Sequence, residues 1–209
     1  MHHMCIQGGL GQGKTFLASV LATNWAEQAA KAGAEVSLFS NYGLKNGYTI
    51  DHYSDWYKVA AADSSICVWD EAHIAFSNRK WAGYGQGIAM DMMMYMRKMR
   101  CINLYCTPSI ANLDSRLRQI IEIVVYCRKE PSGYFYIFKD FQTGELLRTA
   151  RLPMHVAKKI YKLQLYSTYE FVQGFPLPST DKAAKTFFEK LNDIHRQKMG
   201  LVTMTDEDA

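Results

Sequence analysis

No apolar run in the sequence approaches the ~18 residues that cross a bilayer, so no transmembrane segment is expected. The first residues enter a glycine-rich turn almost at once, so no secretory signal peptide is expected. There are no internal repeats and no low-complexity stretch, which argues against a solenoid or a long disordered linker. Cysteine is scarce. The five cysteines (Cys5, Cys67, Cys101, Cys106, Cys127) are odd in number and lack C-x-x-C spacing, so buried free thiols are expected instead of a disulfide framework or a metal site. Charge of one sign is not in large excess over the whole chain, at +4. It is unevenly spread, because residues 79–162 carry 15 Lys and Arg against 6 Asp and Glu. That basic middle suits a polyanionic partner and is equally an ordinary solvated surface.

What is present is a core-forming chain. At 209 residues with 48% hydrophobic composition, it is long enough for one domain with appendages. Its most informative stretch follows a short apolar piece, Met4, Cys5 and Ile6. Gly8, Gly9, Leu10, Gly11, Gln12, Gly13, Lys14 and Thr15 match the spacing G-x-x-x-x-G-K-[ST]. Phe16, Leu17, Ala18, Val20 and Leu21 then continue at helical spacing. A polyphosphate has to lie against bare backbone N–H groups, which requires absent side chains and free φ angles. A helix beginning at Lys14 would point its positive end at the same phosphates. Lys14 supplies a point charge, and the Thr15 hydroxyl is a hard oxygen suited to Mg²⁺. Strand, loop and helix together predict ATP binding through residues 8–16.

Later segments alternate strand and helix. Strands are expected near residues 35–40, 66–69, 102–106 and 121–127, and helices over 14–32, 53–62, 88–100 and 114–119. Residues 41–49 read as a polar loop. This alternation predicts an α/β fold with a mainly parallel central sheet flanked by helices. Residues 134–141 and 145–152 flank Gln142, Thr143 and Gly144 and predict an antiparallel hairpin on the sheet edge. The expected organisation is a domain over residues 1–170, followed by a linker, an amphipathic helix over 180–198 and an acidic tail.

Ile66, Cys67, Val68 and Trp69 form an unbroken apolar run that ends in Asp70 and Glu71. Carboxylates at the end of a buried parallel strand lie where α/β sheets bind ligands. Asp70 is expected to hold Mg²⁺, and Glu71 to orient and deprotonate the attacking water. Thr107, at the tip of the next strand, is either a contact to the γ-phosphate or a turn residue before Pro108. Arg116 and Arg118 are either fingers that stabilise a neighbouring subunit's site or the exposed side of a short helix; Arg128 and Lys129 are further finger candidates. Asp70, Glu71, Ala72 and His73 also spell a helicase signature. Such enzymes need two such domains in one chain, so His73 is read as a helix-start residue. Met90, Met92, Met93, Met94, Met96 and Met99 read as a core-facing or subunit-facing stripe. Trp81 and Tyr84, with Arg79 and Lys80 beside them, are a candidate nucleic-acid grip.

The series at residues 8–15, 68–79, 95–107 and 112–118, with a later match at 159–170, resembles the ATPase domain of zonula occludens toxin proteins, the virion-assembly proteins of filamentous phages. It is similar more widely to the FtsK–HerA superfamily, which includes viral genome-packaging ATPases. The resemblance implies a RecA-like P-loop NTPase of the additional-strand class, with the Thr107 strand lying between the strands that carry the loop and the carboxylates. It also implies a homo-oligomeric ring (hexamer or pentamer) that acts on double-stranded DNA, with a viral capsid or membrane vertex protein as a further partner, in the host cytoplasm or the virion. Two departures stand out. The family usually has Thr-Gln where this sequence has Thr107 and Pro108. The filamentous-phage proteins carry a transmembrane helix after this domain, whereas this sequence has none. The expectation is therefore a genome-packaging motor, with a membrane-associated assembly or secretion ATPase as the alternative. A metabolic nucleotide kinase is the third reading; the basic middle counts against it.

Overall fold

The computed structural model describes residues 1–76, 85–167 and 176–200. Strand β1 (His3–Gln7) leads into helix α1 (Lys14–Lys31) and then β2 (Ser37–Ser40). The short strand β3 (Tyr48–Thr49), helix α2 (Trp56–Ala61), strand β4 (Ser65–Trp69) and helices α3 (Ala72–Ala75) and α4 (Gly85–Lys98) follow. Next come β5 (Cys101–Thr107), α5 (Ser115–Ile120), β6 (Ile123–Glu130), β7 (Gly133–Asp140), β8 (Leu146–Pro153), α6 (Met154–Tyr161) and α7 (Asp181–Lys198).

These strands form one sheet in the order β3-β2-β4-β5-β1-β6-β7-β8. All pairings from β3 to β6 are parallel; β6, β7 and β8 pair antiparallel. Strand β5 lies between β4 and β1, as the resemblance implies, so the fold is that of a RecA-like P-loop NTPase. The edge hairpin closes as expected: the Asp140 carboxylate accepts from the Gln142 and Thr143 N–H groups, and Gly144 turns with φ 75°. One expectation needs correcting. Residues 41–49 are not all loop, because Tyr48 and Thr49 pair in parallel with Phe39 and Ser40. Two residues carry too little pattern to show as a strand.

The central strands are buried on both sides, which is why β4 reads as a continuous apolar run. Alternate residues feed two clusters. Met4, Ile6, Ile66, Val68, Leu104 and Cys106 pack towards α1 and α6. Cys5, Cys67, Trp69 and Tyr105 pack on the opposite face with α2, α4 and α5. Met92, Met96 and Met99 are buried in that second cluster, so this part of the methionine stripe faces the core. Helix α7 is capped by the Thr180 hydroxyl, which accepts from the Ala183 N–H. It packs on α2 and buries Phe187 and Leu191 in the same cluster as Trp56. All five cysteines are buried free thiols. The proposed grip of Arg79, Lys80, Trp81 and Tyr84 lies outside the described residues.

Candidate active site

The glycine positions follow from close approaches. A Cβ at Gly8 would sit 2.7 Å from the Cys127 carbonyl oxygen on β6. At Gly13 the backbone has φ 88° and a Cβ would sit 2.5 Å from the Tyr134 ring, so only glycine fits. Gln12 ties the loop down: its side-chain oxygen accepts from the Lys129 N–H at 2.6 Å. Leu10 is almost fully exposed at the loop tip.

Helix α1 starts directly from this loop. Gly13 brings no capping side chain, and no acidic residue stands in the first turn. The helix therefore presents N–H groups and the positive end of its dipole without an internal anion to neutralise them. Lys14 is buried and folds back across the loop, where its Nζ donates to the Gly9 carbonyl at 3.1 Å.

Thr15 and Asp70 meet across 55 residues of sequence, with the hydroxyl 3.0 Å from both carboxylate oxygens. Burial pushes the Asp70 carboxyl above its usual range, outweighing the hydrogen bond from Thr15. A partly buried carboxylate facing a hydroxyl is a pair of hard oxygen donors, which fits a Mg²⁺ ion. Among the described residues no group of three or more His, Cys, Asp or Glu could hold a metal alone. The donor set therefore suits an ion that takes its other ligands from phosphate and water.

Asn41, at the tip of β2, fixes the carboxylate strand. Its amide donates to the Asp70 carbonyl at 3.0 Å, and its oxygen accepts from the Asp70 N–H at 2.8 Å. Sequence reasoning missed it, placing Asn41 in a polar loop. The available signal was an amide side chain ending a parallel strand. Glu71 follows with φ 44° and ψ 46°, a left-handed conformation that a non-glycine residue adopts at a cost of about 1–3 kcal/mol. Its Oε2 lies 3.3 Å from His73 Nδ1. His73 is in the first turn of α3, as a helix-start residue would be.

Thr107 is fully buried at the end of β5, in register with Gln7 at the end of β1. Its hydroxyl donates to the Ser109 carbonyl at 3.0 Å, which is the turn role. Gln7 accepts from the Ile110 N–H at 2.8 Å and holds the same corner. Arg116 is bound by both ends to Asp114 at 3.1 Å, and this pairing keeps the Asp114 carboxyl below its ordinary range despite burial. Arg118 differs: its Nε is buried without a hydrogen-bond partner. Arg128 is mostly exposed and pairs with Glu130 at 3.1 Å. Loop, Lys14, Thr15, Asp70 and Glu71 thus follow the carboxyl ends of the central strands β1 and β4. Chemically the arrangement can accept a polyphosphate and a metal ion beside a second carboxylate.

The model of the zonular occludens toxin (Zot) family matches residues 21–172, a stretch that begins just after the phosphate loop. The N-terminal domain of zonular occludens toxin from Neisseria meningitidis is a structural relative, with 20% identity and a TM-score of 0.57. The match covers 80% of this chain and all of that one. The genome-packaging NTPase B204 of Sulfolobus turreted icosahedral virus 2, solved with ATP-gammaS, is 10% identical with a TM-score of 0.50, covering 73% of this chain and 97% of its own. No curated protein matches. At these identities the structural likeness speaks for the fold, and the family rests on the match over residues 21–172. A model that accounts for most of the sequence places this chain in the zonular occludens toxin (Zot) family.

Proposed function

We propose that the chain is an ATP-hydrolysing motor that moves DNA, working as a homo-oligomeric ring of five or six subunits in viral genome packaging. The observation that carries the reading is the meeting of Thr15 with Asp70 at 3.0 Å beside the loop, with Glu71 next in sequence. Loop N–H groups and Lys14 bind the triphosphate, and Lys14 gives up its Gly9 contact to do so. Thr15 and Asp70 are the residues that would hold Mg²⁺, which supplies charge neutralisation on the phosphate oxygens. Glu71 takes the proton of the attacking water. Its carboxylate pairs with His73 at 3.3 Å, a contact it would release to reach the water. Thr107 would have to release Ser109 before it could contact a phosphate. Between the two arginines, Arg118 suits a role towards a neighbouring subunit better than Arg116, because Arg116 is already held by Asp114.

ATPase rate with and without duplex DNA tests the proposal. Glu71→Gln should keep ATP binding and lose turnover by on the order of a hundredfold or more. Full turnover in that variant removes Glu71 from its role. Membership of the Zot family favours a second reading, a filamentous-phage assembly or secretion ATPase acting at a membrane. No helix among the described residues is long and apolar enough to cross one. Duplex DNA should accelerate a packaging motor and leave an assembly switch unchanged.

A further inference from the structure

A cavity of about 620 Å³ opens beside the phosphate loop, between the first turn of α1, the end of α6 and the segment after β2. Its lining includes Phe16, Gly43, Lys45, Tyr161, Gln164 and Tyr166. None of these belongs to the loop motif, which Phe16 follows directly. We infer that this cavity takes the adenine base of the bound nucleotide, with Tyr161 as its stacking platform and Gln164 as the reader of its edge. The inference rests on the nucleotide-binding reading of the loop and adds where the base goes.

Placement is the first support. Thr15 and Asp70 fix the metal-bearing end of the triphosphate, beside Glu71. The nucleoside must leave from the other end. Phe16 stands one residue past Thr15, so the cavity begins within a single residue of the phosphate site.

The second support is a platform already held in place. Phe16 stacks on Tyr161 with ring centroids 4.4 Å apart. The Tyr161 hydroxyl shares a hydrogen bond of 2.8 Å with Tyr134, the residue whose ring closes over Gly13. One ring face is thus covered by Phe16, and Tyr161 remains 41% exposed while lining the cavity. A partly exposed, rotationally fixed aromatic ring beside a polyphosphate site is what a base stacks on.

The third support is the wall opposite. Residues 163–167 cross to the segment after β2: the Lys45 N–H donates to the Leu165 carbonyl and the Ser167 N–H to the Gly43 carbonyl, each at 2.8 Å. Lys45 Nζ adds a bond to the Leu163 carbonyl at 3.1 Å. Within this crossing, Gln164 has φ 49°. This angle closes the last turn of α6 and leaves Gln164 exposed on the cavity lining, where its amide can reach a bound base. One amide offers a donor and an acceptor together, the pair that adenine's N6 and N7 require. Guanine presents two acceptors at the same place and satisfies only the donor.

Titration calorimetry of the full chain with ATP, GTP and inorganic tripolyphosphate tests this. Tyr161→Ala should weaken ATP binding about ten- to a hundredfold and leave tripolyphosphate unchanged. Tyr161→Phe keeps the ring and should stay within about twofold of the wild type for ATP. Gln164→Gly removes the amide while relaxing the backbone, and should erase a preference for ATP over GTP. The inference is overturned if Tyr161→Ala binds ATP as tightly as the wild type. It is also overturned if ATP and tripolyphosphate weaken together, or if the wild type binds both equally. A wild type that binds neither ligand defeats the loop reading itself, and this inference with it.

Discussion

Replacing Asn41 by alanine tests a residue whose side chain is bonded to the backbone of Asp70. Its side chain makes two hydrogen bonds to the Asp70 backbone, while its own N–H donates to the Val68 carbonyl at 3.2 Å and extends the β2–β4 ladder. The alanine variant keeps the ladder and loses both side-chain bonds. Each bond contributes on the order of 1 kcal/mol net, and a buried group left unsatisfied costs about 1–3 kcal/mol. Asn41 itself is fully buried, but Asp70 is partly exposed and water can replace part of the loss. A destabilisation of about 2–4 kcal/mol follows. For a chain of this size that lowers the melting temperature by roughly 5–12 °C. The catalytic effect should be disproportionate. With the Asp70 backbone released, its carboxylate drifts from Thr15, and a misplacement of about 1 Å in a catalytic group costs on the order of a hundredfold. Turnover should fall while tripolyphosphate binding, which depends on the loop and Lys14, persists. Asn41→Asp keeps the acceptor for the Asp70 N–H but loses the donor and adds a second negative charge. It should impair turnover at least as much as alanine. Melting within about 1 °C of the wild type with turnover intact would refute the clamp.

Two further predictions probe the frame around the site. His3 is buried against the Tyr105 hydroxyl at 3.0 Å, and burial lowers its pKa from 6.5 to about 4. Between these values the unfolded chain binds the proton that the folded chain refuses. Stability is therefore full above pH 6.5 and falls as the pH drops towards 4, by on the order of 3 kcal/mol. His3→Gln, which does not titrate, should flatten that slope in urea melts at a series of pH values; an unchanged slope would assign it to other groups. Phe187, on α7, is fully buried beside Tyr53 and Tyr57. Phe187→Ala should cost about 3–5 kcal/mol in denaturant unfolding. Wild-type stability in that variant would mean that α7 does not share the core in solution.

These residues also mark what a sequence can disclose and what it cannot. The phosphate loop is legible because its demands are local: a glycine at residue 13 answers to a backbone angle and to one nearby ring, and spacing alone records that. Asp70 and Glu71 are legible for a different reason, since a buried parallel strand announces itself as an apolar run and its carboxyl end is fixed by the chain direction. The parallel order then brings Asp70 to Thr15 without any specific signal joining positions 55 residues apart. Asn41 fails both tests. Its function lies in matching the backbone of a strand neighbour, and side-chain-to-backbone contacts leave no trace in the partner's residue type. Tyr161 and Gln164 fail for the same reason over a longer span, because their part depends on a crossing stitched by main-chain bonds to residues 43–45. Helix α7 is an intermediate case: its amphipathic pattern states that one face is covered, and only the packing of Phe187 on α2 states by what. Side chains that meet phosphate and metal are thus selected by chemistry visible in one dimension. Those that hold them in place are selected by geometry, and for that reason mutation of Asn41 tests the folded site more sharply than mutation of Lys14 does.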